Sequence, residues 1–193
     1  MANRVQEDFG KMKTWLGSTS VQTAAVADLI VASADMKVGS YTVAADPTSP
    51  SLITVSVTAT GTADTMGTIT ITGTDITDAV ISETVVPVAG STVSTTRAFK
   101  TVTTVVGAGW VVADGADKIT VGIPATGTLE VRGQNISFIC LTGVVYINPS
   151  AVATATSASF MLTAGRGIPL VVSDNLSYIS DGNAATIEFI IWG

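Results

Sequence analysis

Leu52-Ile-Thr-Val-Ser-Val-Thr-Ala-Thr60, Gly67-Thr-Ile-Thr-Ile-Thr72, Val80-Ile-Ser-Glu-Thr-Val-Val86 and Lys100-Thr-Val-Thr-Thr-Val-Val106 alternate apolar residues with small hydroxylated ones at a period of two. Successive side chains of a strand point to opposite faces, so this spacing buries one face and leaves hydroxyls on the other. It is the pattern of half-buried antiparallel strands. The region from Leu52 to Ile123 is therefore expected to be a threonine-rich β scaffold with little ionisable chemistry.

Turn signals break this region every 8–12 residues, as in a sandwich or small barrel. Asp46-Pro-Thr-Ser-Pro-Ser51 is a proline-fixed turn leading into the first long strand. Thr60 to Gly67, Gly73 to Asp78, Pro87 to Ser91, Gly107 to Gly109 and Ala113 to Asp117 follow it. Pro124-Ala-Thr-Gly-Thr128 has no apolar anchor and separates two β-patterned regions. Beyond it Ile136–Leu141, Val144–Ile147, Ser159–Leu162, Ile168–Val172, Leu176–Ile179 and Ala185–Trp192 read as a second set of strands, more continuously apolar than the first. In the last of these Ile187, Phe189 and Ile191 share one face and Glu188, Ile190 and Trp192 the other. Two apolar faces point to burial between layers or between chains.

Upstream, Asn3 to Leu16 is the one charge-dense stretch. Val5, Phe9, Met12 and Leu16 recur at helical offsets, with Arg4, Glu7, Asp8, Lys11 and Lys13 around them. Gly10 costs such a helix about 1 kcal/mol relative to alanine, so it needs a surface to lie on, either its own β domain or a neighbouring subunit. Val21 to Ala34 is compatible with a short helix or a strand, with an extended path after Asp28. The expected fold is all-β: two antiparallel β-sandwich or jelly-roll-like units with a short N-terminal helix or arm. The expected divisions are an arm over 1–30, a β-sandwich over 31–124 and a C-terminal β domain over 125–193.

Composition narrows the function. The 193 residues are 47% hydrophobic and 12% charged, against about a quarter charged in ordinary soluble domains. Hydroxyls, or coverage by other chains, must compensate. Mean hydropathy is +0.52, yet no run of about 18 apolar residues occurs, so no membrane-spanning helix is expected. Net charge is -6 with no cluster of Lys or Arg, which argues against direct binding of nucleic-acid phosphates. The polar start is unlike a secretory leader. A single cysteine, Cys140, suits a reducing compartment and sits among Phe138, Ile139 and Leu141 as a core hydrophobe.

The chain has no histidine, which removes Ser-His-Asp and Cys-His machinery and the commonest zinc ligand. Glu83, Glu130 and Glu188 could in principle pair as acid and base, but isolated strand glutamates usually face solvent. Asp75 with Asp78, and Asp114 with Asp117, fit Asx turns better than a calcium loop, because the ladder of acidic positions closed by a glutamate is missing. Gly165-Arg-Gly167 lacks the lysine and hydroxyl sequel of a phosphate loop and reads as a hairpin turn. The aromatic residues Trp15, Trp110, Trp192, Tyr41, Tyr146 and Tyr178 would serve a sugar platform, a core or a subunit contact equally well. No catalytic residue, metal ligand or cofactor is expected, and the chain is not read as an enzyme.

Val38-Gly-Ser-Tyr-Thr-Val-Ala-Ala-Asp-Pro47, Gly67-Thr-Ile-Thr-Ile-Thr-Gly-Thr-Asp75, Ile81-Ser-Glu-Thr84, Ala98-Phe-Lys-Thr-Val-Thr103 and Asp117-Lys-Ile-Thr-Val-Gly122 together resemble β-sandwich modules of tailed-bacteriophage virion proteins. The resemblance covers about half the chain, and Ser51 follows Pro50 where such modules often carry arginine. The ending, Gly182 to Trp192, is similar to the terminal β domain of phage head and tail accessory proteins. The resemblance implies a virion structural protein assembled in the host cytoplasm. Its first form is a capsid decoration protein on the outer face of the major capsid protein; a tail, neck or head-fibre adhesin for a host receptor is the alternative. The expected partners are the major capsid protein or another virion protein and further copies of the chain, with neither nucleic acid nor membrane. Contact is assigned to Val5, Phe9, Met12, Trp15, Leu16 and Trp192.

Overall fold

The computed structural model describes residues 14–21, 23–59, 64–111, 116–131, 133–149, 152–155 and 160–192. Among them the fold is all-β, in four antiparallel sheets of four strands with one 3-10 turn at Met36–Val38. The chain divides into two compact units. One runs from Ala25 to Pro124; the other comprises Ala125 onward together with the segment ending at Ala24.

The N-terminal strand β1 (Thr14–Ser20) belongs to the second of these. The first unit contains β2 (Val26–Asp35), β3 (Ser40–Tyr41), β4 (Thr54–Thr58), β5 (Thr68–Thr74), β6 (Val80–Val85), β7 (Thr92–Ser94), β8 (Thr101–Ala108) and β9 (Lys118–Ile123). Its sheets have the orders β2-β9-β4-β7 and β3-β8-β5-β6. The period-two pattern is realised residue by residue. Val55 and Val57 of β4 and Ile69 and Ile71 of β5 are buried, while their threonine and serine neighbours lie on the opposite faces. Ile30, Val55, Ile119 and Val121 of one sheet meet Ile69, Ile71, Ile81, Val102 and Val105 of the other in a single core. Each such side chain contributes about 1.5–3 kcal/mol by leaving water.

The second unit adds β10 (Gly127–Glu130), β11 (Asn135–Thr142), β12 (Val144–Asn148), β13 (Phe160–Thr163), β14 (Gly167–Val171), β15 (Asn175–Ser180) and β16 (Thr186–Trp192). Its sheets have the orders β1-β16-β11-β14 and β10-β15-β12-β13. Phe138 of β11 and Tyr178 of β15 meet across the layers with ring centroids 5.9 Å apart. The Tyr178 ring covers Gly127, where an added Cβ would lie 2.2 Å from the ring. Pro169 sits on β14, an edge strand, where its missing N–H costs no ladder bond.

Two expectations about the N-terminal region are corrected. The helix drawn over Asn3 to Leu16 cannot include its last turn, because Thr14–Leu16 are extended and pair with Ile190–Trp192. Within the expected arm over 1–30, the described residues from Thr14 onward are not separate: β1 completes the sheet of the C-terminal strand, and Val26 already begins β2 of the first unit; residues 1–13 lie outside the described residues. The physical reason is visible at Gly17. Gly-Ser-Thr-Ser is poor helix material, and the Phe189 ring occupies the space over Gly17, 2.4 Å from where a Cβ would stand. Strand pairing therefore wins over the apolar offsets that linked Leu16 to Met12.

Candidate functional site

The hydroxyl face of the first unit is closed upon itself. Thr70 and Thr84 share a side-chain hydrogen bond at 3.0 Å, Thr72 and Ser82 at 3.1 Å, Thr74 and Thr101 at 2.7 Å, and Ser56 and Thr92 at 2.7 Å. Thr103 Oγ1 also donates to the Thr72 carbonyl at 3.0 Å. These pairs follow from register, since Thr70 lies opposite Thr84 and Thr72 opposite Ser82. Such cross-strand pairs contribute about 0.2–1 kcal/mol each. They leave a surface that is polar yet has spent many of its donors and acceptors internally.

The acidic candidates are structural or dispersed. Glu83 accepts from the Thr96 amide (2.7 Å), the Thr96 hydroxyl (3.1 Å) and the Arg97 amide (2.9 Å), so it fixes the turn between β7 and β8. Glu130 and Glu188 lie on different sheets of the other unit. Asp75 Oδ1 accepts from the Thr77 amide and hydroxyl and from the Ala79 amide. Its Oδ2 faces Arg97 at 3.7 Å, and Asp78 pairs with Lys100 at 2.6 Å. The Asx-turn reading thus holds for this pair; Asp114 lies outside the described residues, and Asp117 is fully buried. Among the described residues no three His, Cys, Asp or Glu side chains form a metal-binding group.

The segment Gly165-Arg-Gly167 is a corner between sheets, correcting the hairpin expectation, since β13 and β14 belong to different sheets. Two of its amides are consumed, with that of the preceding residue: Gly165 donates to Cys140 O, Arg166 to Thr163 O and Ala164 to Gly143 O. No convergent set of amides remains there to hold an anion. Cys140 is fully buried, its thiol pushed up in pKa by burial, with Sγ 3.3 Å from Thr142 O. It is the core hydrophobe the sequence suggests.

Among the described residues the aromatic side chains form two separate ring pairs, one in each unit. Tyr41 and Trp110 meet at 6.3 Å in the first unit, where the indole lies over Gly107. Tyr178 is buried, which removes it as an exposed recognition ring.

The second unit carries an apolar surface. On the side of the β1-β16-β11-β14 sheet away from the core, Ile190 and Trp192 of β16 and Ile139 of β11 are partly buried, and Pro169 and Val171 of β14 are exposed. Register makes them neighbours: Trp192 lies opposite Asn135, which lies opposite Val171, and Ser137 joins Ile190 to Pro169. A shallow groove of about 510 Å³ beside β13 and β14 is lined by Phe160, Met161, Leu162, Thr163, Arg166, Gly167 and Ile168.

Of the six residues assigned to contact, Val5, Phe9 and Met12 lie outside the described residues. Trp15 and Leu16 are placed on β1, opposite Ile191 and Ile190, and Trp192 ends the adjacent strand. The two-faced apolar pattern of β16 was the signal for this surface. Nothing in the sequence flagged β1 as its neighbour.

No family model matches the chain, and no curated protein is significantly similar to it.

Proposed function

We propose that this protein is a structural component of a tailed-phage particle, a capsid decoration protein that binds the outer face of the shell. The observation that carries the reading is the apolar outer side of the β1-β16-β11-β14 sheet in the second unit. The first unit turns hydrogen-bonded hydroxyls outward and uses its acids to fix turns; the second bears an apolar sheet face ending in Trp192. A continuous apolar sheet face suits attachment to a partner, whereas the exposed Val38, Val80, Val86, Val88, Val106 and Val111 of the first unit lie on separate strands and turns. The net charge of -6 fits the outside of a shell better than its genome-facing side. Many copies, each held by modest contacts, would reinforce a shell through multivalency.

Attachment is assigned to Val5, Phe9 and Met12 and to Leu16 and Trp192; Trp15 is left out, because its register partner is the buried Ile191. Because β1 begins at Thr14, deletion of residues 1–13 tests the segment without cutting into β1. Purified protein should co-sediment with shells stripped of their accessory proteins, and the deletion should abolish this while circular dichroism stays unchanged. Failure of the intact chain to bind stripped shells contradicts the proposal.

A further inference from the structure

We infer that the folded first unit is a clasp for the second: by holding Ala24 and Ala125 close together it keeps β1 seated on β16, so that unfolding the first unit loosens the second through the chain alone. The inference stands independently of the particle reading. Three observations carry it.

The first is topology. β1 pairs with β16 along its whole length, yet the chain leaves the second unit after Ala24 and returns to it at Ala125. Each of the four sheets draws its strands from one unit. The strand that completes the sheet at β16 is therefore tied to β10 by everything between Ala25 and Pro124.

The second is register at the ends of the first unit. Val26 of β2 lies opposite Ile123 of β9, and directly opposed residues on antiparallel strands stand about 4.5–5.5 Å apart. Gly122 permits the approach, since a Cβ there would lie 2.0 Å from the Val26 carbonyl oxygen. Two residue steps of about 3.8 Å lead from Val26 back to Ala24, and two from Ile123 on to Ala125. While the first unit is folded, Ala24 and Ala125 are thus no more than about 20 Å apart.

The third is length. Between Ser20 at the end of β1 and Gly127 at the start of β10, the path counts as about ten residues while β2 and β9 hold its middle closed, and as about a hundred once they separate. Closure entropy grows with the 3/2 power of loop length, so the balance between seated and released β1 changes about 30-fold. The Phe189 ring, which lies over Gly17, connects the core of the second unit to that balance.

The full chain tests the inference. Ile71→Asp together with Val121→Asp puts two charges where both side chains are fully buried, which should unfold the first unit. Methyl signals of Ile187 and Ile191 should stay native, while amide exchange in β1 and β16 quickens about 30-fold over the unsubstituted chain. A second variant replaces residues 25–124 by a Gly and Ser linker of about eight residues, whose mean span of about 14–17 Å suits the gap. It should return the exchange rates to within about threefold of the unsubstituted chain. Unchanged exchange in the doubly substituted chain overturns the inference. So does a loss of protection that the short linker fails to restore, because the second unit then depends on something in the first other than its closed ends. Neither measurement involves shells, so its outcome is separate from that of the sedimentation test.

Discussion

Glu83 shows how a residue that looks available for chemistry is committed to structure. One carboxylate receives three donors from Thr96 and Arg97, and charge-assisted bonds of this kind are stronger than neutral ones. Glu83→Ala should lower stability by about 1–3 kcal/mol, read as a lower midpoint in denaturant. Tyr41 is a second case. Its hydroxyl donates to the Met36 carbonyl at 2.9 Å, and burial pushes its pKa from 10.0 up to about 12. As pH rises through 10 the unfolded chain releases a phenol proton that the folded chain retains, so stability falls between pH 10 and 12. Tyr41→Phe should lose about 1 kcal/mol at neutral pH and show a shallower alkaline decline in thermal midpoint.

At the scale of elements, β1 is the strand whose place depends on a single small residue. Gly17 leaves room for the Phe189 ring, and a side chain there would meet it at 2.4 Å. Gly17→Val should cost about 1–3 kcal/mol by overpacking. Amide exchange should accelerate in β1 and β16 and remain unchanged in β4, β5 and β9. The strands from Leu52 onward were legible in the sequence because their side-chain period and hydroxyl faces are local properties. Thr68–Thr74 and Val80–Val85 fall almost where the alternation puts them. The strand at Thr14–Ser20 was not legible, since its partner lies at the other end of the chain and its apolar spacing continues a helical pattern from Val5. The apolar outer face of the second unit was half legible: Ile190 and Trp192 announce themselves by alternation, but Pro169 and Val171 join them only through the register of β11. The role of Glu83 was invisible for a similar reason, as its partners lie on a turn 13 and 14 residues away.

For the whole molecule, the consequence is that one unit is continuous in sequence and the other is not. Ala25–Pro124 contains all the strands of its two sheets, whereas the terminal unit takes β1 from before the first and the remaining strands from after it. A fragment 25–124 should fold alone and unfold cooperatively. A fragment 125–193 should be poorly folded without β1, because the Phe189 ring then loses the strand that covers it, and adding a peptide of residues 14–24 should restore native chemical shifts. The proposed role in a particle rests on the apolar sheet face that ends in Trp192. The most direct test of the proposed role is whether the protein occurs in intact tailed-phage particles, and at what position and copy number, by cryo-electron microscopy. Density for hundreds of copies on the outer shell, with the second unit against the capsid, is the predicted result; absence from particles, or a handful of copies at the tail or neck, would contradict it.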